Sequence, residues 1–172
     1  MTTRMIVLVM MVLGAAFSRI IPHPWNFTAI GAMALFGGAY FNDKKMSMLV
    51  PMAALLISDL ALGGIHSTTL FVYGAFALIV MMGWFLTENK SVARIGGLSL
   101  VASSVFFLIS NFGVWIMDGM YPVNFQGLVA CYVAAIPFFG NQVAGDLFFS
   151  GVMFGGYELL KKYVLSPAAK AA

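Results

Sequence analysis

Charge interrupts this chain at only a few places, and the runs between those places are long enough to cross a bilayer, except Phe27–Phe41, which is short for a crossing. A helix needs about 20 apolar residues for that crossing. The runs read as Met5–Pro22, Phe27–Phe41, Met46–Gly64, Thr69–Leu86 and Arg94–Met117. Turn-forming or polar clusters separate them, among them Pro22-His23-Pro24-Trp25-Asn26, Asn42-Asp43-Lys44-Lys45 and Thr87-Glu88-Asn89-Lys90. Composition closes the other routes. Only 9% of residues are charged and 62% are hydrophobic, against roughly 25% and 45–50% in a soluble domain. Such a surface could not be covered in water, and disorder needs the opposite balance. The chain therefore reads as an all-α integral membrane protein.

The last third is less regular. Gln126–Tyr157 is 32 residues with one charge, Asp146. As one straight helix it would be about 48 Å long, against a hydrocarbon core of about 30 Å. Pro137 is expected to break it. The reading is a short interfacial or re-entrant helix near Gly127–Ile136, then a sixth span over Phe138–Leu160. Residues 1–165 then form one six-helix transmembrane domain, and 166–172 an Ala-rich flexible tail.

Charge orients this arrangement. With the N-terminus inside, the inner segments hold Arg4, Lys44, Lys45, Lys90, Arg94, Lys161, Lys162 and Lys170, and the outer ones hold only Arg19. That positive-inside bias requires an even number of spans. Six spans in a bacterial inner membrane, with both termini cytoplasmic, are expected. Arg4, the apolar run from Met5 and Ala16-Phe17-Ser18 also fit a cleaved signal sequence, whose removal would leave five spans. The net charge of +3 is scattered, so nucleic acid is not an expected partner. The single cysteine, Cys131, excludes an internal disulfide and any multi-cysteine metal site; in its apolar stretch it reads as a packing residue.

Polar residues gather on the outer side. Counted from the span ends at 1.5 Å per residue, Arg19 lies roughly 5 Å deep, Asp59 roughly 7 Å, Asn111 roughly 9 Å and Asp146 roughly 12 Å. An isolated charge in lipid costs several kcal/mol, so these groups should face one another or water. An ion pair of Arg19 with Asp59 or Asp146 that only fixes packing is the structural alternative. One Arg against two Asp leaves a charge of −1, which a proton, His23 or His66, or a ligand could balance. Asn111 and Trp115 share a helix face, as do Gln142 and Asp146. Trp115, Tyr121 and Trp25 bring aromatic area to the same mouth, as a pocket wall or an interfacial belt. The candidate substrate-binding residues are Arg19, His23, Asn26, Asp59, Asn111, Trp115, Tyr121, Asn141, Gln142 and Asp146. His23 and His66 lack metal-site spacing, and no catalytic residue, metal or cofactor is expected.

Several strings carry a family resemblance. They include Ser18-Arg19-Ile20-Ile21-Pro22-His23-Pro24-Trp25-Asn26-Phe27, Ile30-Gly31-Ala32-Met33-Ala34-Leu35-Phe36-Gly37-Gly38 and Leu56-Ile57-Ser58-Asp59. Others are Ser110-Asn111-Phe112-Gly113-Val114-Trp115, Cys131-Tyr132-Val133-Ala134-Ala135-Ile136-Pro137 and Gly145-Asp146-Leu147. Together they resemble a family of small bacterial membrane proteins that is similar to the substrate-binding S components of energy-coupling factor (ECF) transporters. The resemblance implies a six-helix protein that captures a vitamin, vitamin precursor or similar micronutrient at its extracytoplasmic face, without covalent chemistry. The implied partners are that nutrient, the lipid bilayer, and a coupling subunit with its ATPases. The first span departs from the Ala-x-x-x-Ala docking motif of many S components, reading Gly14-x-x-x-Ser18, so a solitary carrier is the variant. A structural or assembly subunit without a ligand, and a membrane enzyme using Asp and His as acid–base groups, are the other function classes.

Overall fold

Thr2 opens the first helix by accepting the Met5 amide on its side chain. The computed structural model describes residues 2–165, and among these there are six α-helices and no strand. They are α1 (Thr3–Phe17), α2 (Ile30–Tyr40), α3 (Lys44–Leu62), α4 (Thr69–Gly83), α5 (Val92–Met117) and α6 (Phe125–Leu160). Asp43, Ser91 and Asn124 cap α3, α5 and α6 in the same manner, each satisfying an amide that the first turn leaves free. Gly63 and Gly64, both at positive φ, end α3. Counting the short 3₁₀ and π turns that extend α1, α4 and α6, five helices are long and apolar enough to cross a membrane. The expected flexible tail, 166–172, lies outside the described residues.

The second run differs from its expectation as a span. Its helix, α2, has 11 residues, about 16 Å, too short for a crossing. Every residue from Gly31 to Tyr40 is buried, and α2 touches all five other helices. It is the central post of the bundle, and the others stand around it. A helix apolar on every side is a buried helix, and the glycines let its neighbours close in. A Cβ on Gly38 would sit 2.0 Å from the Val80 carbonyl oxygen, and one on Gly83 would sit 2.4 Å from that of Leu35. The α2–α4 contact is therefore backbone against backbone. The chain reaches α2 through an irregular segment, residues 21–29, in which Asn26 takes φ +61°, a conformation Asn tolerates better than most residues.

The last run is also corrected. There is no separate short helix over Gly127–Ile136; α6 runs unbroken through Pro137 for 36 residues, roughly 54 Å. Packing on both sides of the proline holds it. Tyr132 Oη donates to the Leu108 carbonyl at 2.6 Å before Pro137, and Gln142 Nε2 donates to the Ser103 carbonyl at 2.9 Å after it. Membrane helices tolerate proline where neighbours stabilise the rest of the helix.

The two ends of the bundle differ in charge. Arg4 Nε lies 3.2 Å from Tyr157 Oη, so the start of α1 and the end of α6 share one end. Trp84 Nε1 donates to Ser47 Oγ at 3.0 Å, which brings the start of α3 and the end of α4 to that end too. Arg19, Asp59 and Tyr73 meet at the other.

Candidate functional site

At the end away from Arg4, the irregular segment before α2 leaves space beside α6. A cavity of about 190 Å³ lies there, lined by Arg19, Asn26, Thr28, Phe106, Gln142 and Asp146, among others. A wider, open recess of about 470 Å³ shares Arg19, Asn26 and Thr28 with it, and adds His23 and Trp25. A third space of about 150 Å³ is lined by Arg19, Asp59, His66 and Tyr73. Arg19 borders all three.

The local sequence explains its position. Ser18–Ile20 tightens into a 3₁₀ turn after α1, which places Arg19 toward α3. Its Nη1 donates to Asp59 Oδ1 at 2.6 Å and to Ser58 Oγ at 2.5 Å. Tyr73 Oη, on α4, donates to Asp59 Oδ2 at 2.9 Å. Both oxygens of Asp59 are thus engaged, one by a charge-assisted bond of the stronger kind. Nε and Nη2 of Arg19 make no hydrogen bond among the described residues, so they remain donors for the cavities Arg19 lines.

Asp146 sits deeper and is built in differently. It is buried on α6, and Ser103 Oγ on α5 lies 2.6 Å from its Oδ2. Its carboxyl group also packs against Gly31, at the start of α2. The start of a helix carries free N–H groups and the positive end of the helix dipole, which favour an acidic partner. Gly31 is required here, because a Cβ on it would lie 2.4 Å from Asp146 Oδ1. Gln142, one turn before Asp146, is tied to the Ser103 carbonyl. Ser99 and Ser150 lie 2.8 Å apart along the same seam. Gln142, Asp146 and Ser150 therefore form one polar stripe of α6 set against α5.

Of the ion-pair options for Arg19, the structure forms the one with Asp59. The cavity gathers Arg19, Asn26, Gln142 and Asp146 as a group, and His23 stands in the recess outside it. Four candidates line none of these spaces. Asn111 Nδ2 donates to the Phe107 carbonyl of its own helix at 2.8 Å, and its own carbonyl faces Cys131 Sγ at 3.4 Å. Trp115 Nε1 donates to the Pro122 carbonyl at 3.0 Å, which folds the α5–α6 link back on itself. Tyr121 belongs to that link. Asn141 holds the irregular segment, donating to the Trp25 carbonyl at 3.1 Å. Thr28, Gly31, Ser103 and Tyr73 escaped sequence reasoning. Only Ser99 and Ser103, four apart on one helix face, carried a periodic signal.

The chain belongs to a family of unknown function (DUF6580), whose sequence profile matches residues 1–169. No protein of curated function and no solved structure matches it.

Proposed function

We propose that this chain is a bacterial inner-membrane, S-component-like protein that captures a small micronutrient at its extracytoplasmic face and takes part in its passage across the membrane. The observation that carries the reading is the cavity beside Arg19 and Asp146, next to an open recess that shares Arg19, Asn26 and Thr28 with it. A concave space with apolar wall and a few converging polar groups is what a small-molecule site needs. Buried ionisable groups inside a membrane bundle are functional candidates by default.

In this reading the irregular segment and α2 together make the sixth passage. The lysine-rich end faces the cytoplasm with both termini, which the distribution of basic residues supports. The cavity volume of about 190 Å³ is below the roughly 300–1,000 Å³ of sites for drug-sized ligands. That favours a compact solute, the size of a vitamin precursor rather than of a large cofactor. Arg19 offers two unused donor groups toward an acceptor on the solute. Gln142 and Asp146 offer the deeper polar contacts. Energy comes from a coupling subunit with ATPases, or the protein is a solitary facilitator.

Native mass spectrometry of protein purified from its own host tests this. The expected result is a small molecule retained in a one-to-one complex and released on unfolding. Protein that is homogeneous, folded and free of any small molecule across growth conditions argues for a structural subunit instead.

A further inference from the structure

The lysine-rich end holds a second concavity, unconnected to the proposed capture site. It is a groove of about 560 Å³ lined by Arg4, Tyr40, Asn42, Thr87 and Lys90, among others. These residues come from the first turn of α1, the end of α2 and the α2–α3 and α4–α5 links. They therefore sit where apolar spans end, at the level of lipid headgroups.

The groove is built for an anion. Arg4 is fixed through Nε to Tyr157, and through Nη2 to the Tyr40 carbonyl at 2.8 Å and Asn42 Oδ1 at 3.2 Å. Its Nη1 makes no hydrogen bond among the described residues. Lys90 Nζ donates to the Thr87 carbonyl at 2.6 Å and lies 5.0 Å from the centre of the Tyr40 ring. Two of the three ammonium donors are left for a ligand. Glu158, the nearby acid, is engaged by Tyr40 Oη at 2.8 Å and by Lys161 at 3.5 Å, and forms no ion pair with Arg4 or Lys90. Burial lowers the pKa of Lys90; Glu158 offsets part of that, while Lys161 and Arg4 add to it. An anion in the groove would relieve that crowding of positive charge.

We infer that this groove binds the phosphate of an anionic phospholipid headgroup. A phosphate-bearing solute would share the chemistry. The lipid is favoured because exposed apolar residues flank the groove in sequence, Phe85 two before Thr87 and Val92 two after Lys90, where an acyl chain would lie. Basic pockets between membrane helices on the cytoplasmic side are a recurrent setting for such headgroups.

The test is native mass spectrometry of the full chain in detergent, titrated with phosphatidylglycerol or phosphatidylcholine, with and without millimolar inorganic phosphate. Wild type should prefer phosphatidylglycerol, and Lys90→Gln should weaken that lipid about five-fold. Lys90→Arg should retain binding, which separates lost charge from misfolding. Lys45→Gln, at the same end but outside the groove, should bind as wild type does. Equal phosphatidylglycerol affinity in wild type and Lys90→Gln would overturn the inference, as would an equal loss in Lys45→Gln. Displacement of the lipid by inorganic phosphate would overturn it in favour of a soluble anion.

Discussion

Removing Arg19 should damage this protein more than removing Arg19 and Asp59 together. Each side chain is 16% exposed, well under a third, so solvent screening does not erase the interaction. Arg19→Met leaves Asp59 with Tyr73 as its remaining side-chain donor and strands a carboxylate in a largely apolar setting. Stripping one partner from a buried pair costs about 3–5 kcal/mol, and the partial exposure places this case near the lower bound. For a chain of this size about 1 kcal/mol moves the melting temperature by roughly 2–4 °C. Arg19→Met should therefore melt about 6–12 °C below wild type. Arg19→Met with Asp59→Asn should recover part of that loss, with a coupling of about 1–3 kcal/mol. Tyr73→Phe should cost about 1.5–3 kcal/mol, because it removes one hydrogen bond to a charged group. Thermal unfolding of wild type, Arg19→Met, Asp59→Asn, Tyr73→Phe and the double variant in one detergent, followed by tryptophan fluorescence, measures all of this. Additive effects of Arg19→Met and Asp59→Asn, or single variants that melt with wild type, would refute the reasoning.

Other expectations follow from particular contacts. Gly31→Ala should destabilise by about 1–3 kcal/mol, because the new methyl group meets Asp146, an overpacking cost. Gly14→Ala, with nothing within 4 Å of its Cβ, should melt at or above the wild-type temperature in the same assay. Pro137 is exposed in mid-helix, so Pro137→Ala restores a backbone bond without emptying a packed site and should raise the melting temperature. In a Cys131→Ala background, an impermeant thiol reagent applied from outside should label Ser67→Cys and spare Ser91→Cys; the reverse pattern would mean an inverted topology.

What was legible in the sequence depended on which property each element carried. Depth counting brought Arg19 and Asp59 to one layer, because both lie near span ends where 1.5 Å per residue accumulates little error. The Gln142–Asp146 face was readable because four residues return a helix to the same side. The same rule grouped Asn111 with Trp115 correctly. It could not say that their polar atoms would turn inward, to the Phe107 and Pro122 carbonyls. Hydropathy read α2 as a span, since a lipid-facing helix and one buried among other helices are equally apolar. Its glycines at 31, 37 and 38 were the available signal that protein surrounds it. Pro137 was read as a break because proline costs a free helix about 3 kcal/mol. The contacts of Tyr132 and Gln142 that offset this cost come from α5, some 24 and 39 residues earlier in the chain.

Ligand retention across a panel of variants tests the central claim, a polar capture site at the Arg19 end, most directly. Wild type, Asp146→Asn, Asn111→Ala and Lys161→Ala would be purified from the native host in parallel and compared by native mass spectrometry. A lost or weakened hydrogen bond to a buried polar group costs about 1–3 kcal/mol, or roughly 5- to 150-fold in affinity. Asp146→Asn should therefore hold the small molecule about 5- to 150-fold more weakly, in protein that still folds but melts lower because α2 and Ser103 lose their carboxylate partner. Asn111→Ala, outside the cavity, and Lys161→Ala, at the opposite end, should retain it. Retention by Asp146→Asn together with loss in Lys161→Ala would contradict the account.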